Sequence, residues 1–212
     1  MIAAKTRWLS LAWVSMAVAL IAAPPLSAAS LTSVVTDPVG DTSVHDQAVV
    51  IAEYQDIVEA SITLKGGKFI LVMDVAAPIP GTPALPVGVK LLDWSFRLRT
   101  NSTAVPPGFP WAPGDKIHPT EFVIFILWNG ASFTGILIDR RPLLTGGEAI
   151  VTPIPFSIQG AEITASVDAV MIGNPQSFQW RSTTDIWFTD LGTEAFFQPD
   201  SAPDFGTVPW PL

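Results

Sequence analysis

Alternation of apolar and polar residues governs what this chain can fold into. In Leu92-Asp93-Trp94-Ser95-Phe96-Arg97-Leu98-Arg99 every second residue is apolar and those between are polar, the period of a strand with one face in a core. Val58, Ala60, Ile62 and Leu64 alternate in the same way with Glu59, Ser61, Thr63 and Lys65, and Ile163, Ala165, Val167 and Ala169 with Glu162, Thr164, Ser166 and Asp168. Gly66-Gly67 stands between the second of these runs and Phe69, Leu71, Met73 and Val75, as a two-residue hairpin turn requires. The continuous apolar run Phe122–Trp128 predicts a central strand covered on both faces. Asn129-Gly130 then turns the chain into 132–139. Segment 148–158 carries Pro153 and Pro155, which confines it to a sheet edge. Segments 178–182 and 185–188 complete eight or nine strands, and no window shows a capped helical stripe. The expectation is an all-β, antiparallel, jelly-roll-like sandwich. Its half-exposed strands are expected to show their polar residues to solvent. The Pro-rich stretches 78–88, 106–119 and 199–211 read as loops or a terminal tail.

Lys5 and Arg7 precede an apolar run over 8–23, Pro24-Pro25 ends it, and Ser27-Ala28-Ala29 supplies small residues for cleavage. Residues 1–29 therefore read as a signal peptide, cleaved to leave 30–212 as a single β-sandwich domain, with an uncleaved signal anchor as the alternative. The expected product is exported, periplasmic or extracellular, with no membrane association once the signal is removed. Without the signal, nine Lys and Arg face nineteen Asp and Glu. That acidic balance disfavours nucleic acid and anionic membranes as partners and suits cations. With no cysteine, the sandwich must be held by its core, and zinc held by thiolates is excluded.

Asp37-Pro38-Val39-Gly40-Asp41 places two acids on a tight turn, and Asp56 stands just ahead of the strand that opens with Ile57-Val58. Asp37-Pro38-Val39-Gly40 is also a competent type I turn by itself, with Asp first, Pro second and Gly fourth. Asp200-Ser201-Ala202-Pro203-Asp204 repeats the pairing of acids with proline near the other end, and chain termini of compact domains often lie close together. Calcium takes six to eight oxygens, mixing carboxylates with carbonyls in irregular geometry. Asp37, Asp41, Asp56 and Asp204 are accordingly the expected calcium ligands. No catalytic residues are assigned. His118 beside Glu121 and His45 beside Asp46 lack a nucleophile partner, and neither Gly-x-Ser-x-Gly nor His-Glu-x-x-His is present.

The acidic turn, the Asp56-Ile57-Val58 opening and the Gly-Gly hairpin into Phe69-Ile70-Leu71-Val72-Met73 resemble the start of secreted bacterial DOMON-like domains and family-nine carbohydrate-binding modules. The resemblance covers residues 37–75. It implies a jelly-roll sandwich with a structural calcium ion and, in some members, a sugar site. The sugar-stacking tryptophans of such modules, and the Met and His that ligate iron in haem-binding relatives, have no counterpart by motif here.

Trp94, Trp128 and Trp180 fall within strand patterns and read as core. Phe109 and Trp111 lie in a proline-stiffened loop, where a preordered aromatic face could stack on a sugar or fold down as a lid. Trp187 and Trp210 are weaker candidates of that kind. Arg140-Arg141 reads as a solvated turn or an ion pair, with an anion grip as the alternative. The function expected is thus a non-catalytic exported domain that binds calcium and recognises a glycan or an extracellular protein. Two alternatives compete with it. One is a β-barrel carrier of an apolar ligand, with Gly135 and Ala165 as small inward residues. The other is a hydrolase, which would need a cleft joining His118 to two acids.

Overall fold

The computed structural model describes residues 31–43, 50–100, 120–188 and 196–211. The signal segment, the Phe109 and Trp111 loop, His45, Asp46 and His118 lie outside the described residues. In chain order the strands are β1 (Leu31–Thr36), β2 (Ile57–Lys65), β3 (Lys68–Val75), β4 (Leu91–Arg99), β5 (Phe122–Trp128) and β6 (Phe133–Asp139). They continue with β7 (Ile150–Pro153), β8 (Phe156–Gln159), β9 (Glu162–Asp168), β10 (Phe178–Trp187), β11 (Phe196–Ala202) and β12 (Val208–Trp210).

All pairings are antiparallel and make two sheets. The smaller is ordered β1-β2-β3-β9-β8, the larger β11-β10-β4-β5-β6-β7, with β12 extending the β11 edge of β10. The fold is therefore the expected all-β sandwich. It has twelve described strands, not eight or nine, for three reasons. β1 precedes the acidic turn, 148–158 divides at its prolines into β7 and β8, and 199–211, expected as a loop or tail, contains the end of β11 and all of β12. Segments 178–182 and 185–188 are one strand.

Local chemistry sets the turns. Gly66 and Gly67 both have positive φ, 59° and 78°, the pair of left-handed residues that a type I′ hairpin needs between Lys65 and Lys68. Pro153 and Pro155 cannot donate to a ladder. They flank the step at which the chain leaves β7, on the edge of the larger sheet, for β8, on the edge of the smaller.

Between the sheets, Ile57, Ile62, Phe69, Leu71 and Met73 pack against Trp94, Phe96, Phe122, Ile124, Ile126 and Trp180. Complete burial of such a side chain stabilises by about 1.5–3 kcal/mol. Each core indole N–H also finds an acceptor, as burial demands. Trp94 donates to the Tyr54 carbonyl at 2.8 Å and Trp128 to the Pro83 carbonyl at 2.9 Å. Two of these bonds cross the sandwich: Trp180 of β10 donates to Ser33 Oγ of β1 at 3.0 Å, and Trp210 to the Ile62 carbonyl at 3.2 Å. Trp187 and Trp210 are buried, so neither is a loop-presented ring.

A closed barrel is excluded, because the described strands form two separate sheets around a filled core. Ala165 is buried in that core. Gly135 does not line a cavity either. A Cβ there would come within 2.6 Å of Phe156 Cδ1 and 2.9 Å of the Ile154 carbonyl oxygen, so its smallness lets the β7–β8 crossover pass close to β6.

The outward face of the larger sheet departs from simple alternation. Asp93, Ser95 and Arg97 of β4 are fully buried, as are Thr183 and Asp185 opposite them on β10. Arg97 Nη2 donates to Asp185 Oδ2 at 2.5 Å, Thr183 donates to the same oxygen, and the Trp187 indole N–H donates to Asp93 Oδ2. Beside this polar row lies a second apolar cluster of Val123, Phe125, Ile136, Trp187 and Phe196. Burial, together with the neighbouring Asp185 charge, pushes the Asp93 carboxyl well above the usual carboxylate range. Arg97→Met should therefore destabilise the protein at pH 7 by about 3–5 kcal/mol, because it strands a buried carboxylate. A loss below about 1 kcal/mol in urea unfolding would contradict that role for the pair.

Candidate functional site

At one corner of the sandwich, where the start of the smaller sheet meets the end of the larger, three short chain segments bring aspartates together. Asp37 follows β1 directly, and its N–H still donates to the Val58 carbonyl at 2.9 Å, so its position is fixed by the β1–β2 ladder. Gly40, at φ 86°, directs its N–H at Asp56 Oδ2 over 2.7 Å. The acidic turn is thus closed onto Asp56 from another segment, which is more than a free-standing turn would need. Asp56 ends the 3-10 turn Glu53–Gln55 immediately before β2.

Asp200 lies on β11 opposite Thr184 of β10. Its Oδ2 accepts the Ile57 N–H at 2.6 Å and its Oδ1 the Ser201 N–H at 2.7 Å. The first of these bonds joins the larger sheet to the smaller. Thr184 Oγ1 reinforces the junction by donating to the Gln55 carbonyl at 2.7 Å. From the other side Ser43 N donates to the Pro199 carbonyl at 2.8 Å, which docks the segment after the acidic turn on β11. Asp204 lies in the turn between β11 and β12 and is exposed, as is Asp41.

Of the four expected ligands, Asp37 and Asp204 meet around Asp200, and Asp41 and Asp56 meet around the same Asp200. In each triad, one carboxylate oxygen per residue lies within 4.8 Å of the other two. Oxygens that share a calcium ion at 2.3–2.6 Å are separated by no more than about 5 Å, so both triads have coordination dimensions. Asp200 is the residue that sequence reasoning passed over. It was visible in the Asp200-Ser201-Ala202-Pro203-Asp204 motif, but reading 199–211 as a tail removed the strand that aims it inward.

The electrostatics are severe. Burial, followed by the charges of Asp200, Asp41, Asp204 and Asp56, pushes the Asp37 carboxyl up to about 8. Asp200 is raised to about 6, again chiefly by burial, against the opposing effect of its two backbone donors. Asp56 is raised by burial too, although the Gly40 N–H favours its charged form. Asp37 and Asp56 are more than nine-tenths buried, yet Asp37 Oδ2 and Asp56 Oδ1 have no hydrogen-bond partner. Among the described residues no lysine or arginine forms an ion pair with any of the five. The set contains only hard oxygen donors, which suits calcium or magnesium better than zinc or copper.

The paired arginines behave as a structural element. Arg140 is buried and donates to the Thr120 carbonyl at 2.9 Å, while Arg141 makes a two-bond pair with Asp139, at 2.9 and 2.7 Å, over the Phe122 ring. No helix among the described residues is long and apolar enough to cross a membrane. No family model matches the chain, and no curated protein or solved structure matches it either.

The raised carboxyls set a pH dependence with a definite sign. Their folded-state values lie above the ordinary 3.8, so the folded state holds protons that the unfolded state has released. Their stabilisation is complete below about pH 4 and is lost as pH rises through about 6 and 8. In chelator, Asp37→Asn should therefore melt progressively higher than the native protein as pH rises from 4 to 8. A constant difference between the two melting curves across that range would show that Asp37 does not titrate as its surroundings dictate.

Proposed function

We propose that this protein is an exported, non-catalytic β-sandwich domain that binds calcium at the corner formed by Asp37, Asp41, Asp56, Asp200 and Asp204. The observation that carries the proposal is the pair of buried, unpartnered oxygens, Asp37 Oδ2 and Asp56 Oδ1, on two aspartates that each belong to a carboxylate triad. A buried polar atom without a partner costs free energy, and a buried charge costs more. A dication removes both costs at once. Calcium is favoured over magnesium because it accepts carboxylates from irregular loops, whereas magnesium requires near-ideal octahedral geometry and retains its water. Bound there, it would clamp the segment after β1 to β2 and β11. It would also supply at the edge of a cysteine-free sandwich the tether that a disulfide supplies elsewhere. Export is supported by the basic, apolar and small-residue order of 1–29.

A glycan or extracellular protein partner has support in one further observation. Phe205 is 91% exposed at the rim of a hollow of about 240 Å³ whose lining includes Asp41, Ser43, Gln198, Asp200 and Asp204. An exposed ring beside hydrogen-bonding oxygens is what a sugar face and its hydroxyls require.

Calcium at about a hundred times its dissociation constant should stabilise the fold by about 2.7 kcal/mol, or about 5–10 °C in melting temperature for a domain of this size. Chelator should reverse the gain, and Asp200→Asn should abolish it. A melting temperature unmoved by millimolar calcium would remove the metal from the function. For the partner, mobility of native protein should be retarded in gels cast with the bound polysaccharide, and Phe205→Ala should restore free mobility. Equal mobility of both proteins across a polysaccharide panel would remove the glycan.

A further inference from the structure

We infer that the corner holds two divalent cations that share Asp200 as a bridging ligand, an inference that rests on the calcium proposal above. The five carboxylates fall into two overlapping triads, Asp37-Asp200-Asp204 and Asp41-Asp56-Asp200, with Asp200 as the member common to both. Each triad has the same composition. It contains one exposed aspartate from a loop, Asp204 or Asp41, one buried aspartate with an unpartnered oxygen, Asp37 or Asp56, and the shared Asp200. One ion placed in either triad leaves the unpartnered oxygen of the other unexplained.

Asp200 is built to serve both sides. Each of its oxygens accepts a single backbone N–H, Oδ2 from Ile57 and Oδ1 from Ser201. Each therefore keeps a lone-pair direction for a cation. The two backbone donors also hold the carboxylate in one orientation. Charge points the same way. Five carboxylates converge with no basic partner among the described residues. One dication leaves most of that charge unbalanced, and two leave about a single negative charge. With Asp41 and Asp204 on the solvent side, water completes each coordination shell, as calcium sites commonly allow.

Counting the ions tests this. Protein purified as the cell processes it is stripped with chelator, and calcium alone is titrated back, with stoichiometry read by native mass spectrometry and calorimetry. Two calcium ions per chain are expected. Asp204→Asn should retain one ion and Asp41→Asn the other, and because both side chains are exposed neither change threatens the fold. Asp200→Asn should weaken both sites at least tenfold. The combined variant of Asp204→Asn and Asp41→Asn should bind none. A single ion per chain, lost equally in Asp204→Asn and Asp41→Asn, would overturn the bridged pair and leave the calcium proposal standing. Two ions unaffected by either variant would overturn the assignment of ligands. No bound calcium at all would remove both the pair and the proposal beneath it.

Discussion

The hydrogen bond from the Ile57 amide to Asp200 Oδ2, 2.6 Å long, ties the two sheets of this sandwich together at one corner. Ile57 opens β2 in the smaller sheet and Asp200 lies on β11 at the edge of the larger. The bond holds a carboxylate inside the corner, and further bonds close around it. Asp56 takes the Gly40 amide, Thr184 takes the Gln55 carbonyl, and the turn after β1 is drawn against β11 through Ser43. Apolar burial between the layers supplies most of the stability. It is not directional, and by itself it would not specify how the edges meet. The polar bonds across the corner and the indoles of Trp180 and Trp210 supply that direction.

Acid accumulates at a corner where separate segments of a cysteine-free sandwich meet. Carboxylates that repel one another loosen a corner unless something binds them. The raised values of Asp37 and Asp200 express that tension in the absence of a cation. Protons and dications are the two species able to relieve it, and only a dication does so while also linking separate segments of chain. Under the calcium proposal, stability and binding are a single property of the site. The same carboxylates that repel one another would, with calcium bound, hold the corner together.

Elsewhere in the molecule charge is managed in the opposite way. On the outward face of the larger sheet Arg97 meets Asp185 directly, and Asp93 is served by the Trp187 indole. That network has its own basic partner, whereas the acidic corner has none among the described residues. The contrast separates an internal polar network from a cluster suited to an external cation.

Sequence alone determined the class of fold, the paired hairpin glycines, the central placement of Phe122–Trp128 and the edge placement of the segment with Pro153 and Pro155. Each of these depends on period, backbone restriction or a missing N–H, which are properties of neighbouring residues. It also marked Asp37, Asp41, Asp56 and Asp204, because acids on turns are a local signal. Tertiary structure decided the burial of Asp93, Ser95 and Arg97, which alternation had sent to solvent. A strand's own period states that its two faces differ, and says nothing about whether the polar one is covered. Tertiary structure also supplied Asp200 and converted the expected tail into β11 and β12. The meaning of those residues lies in pairing with β10, more than ten positions away, and no local pattern carries such a contact.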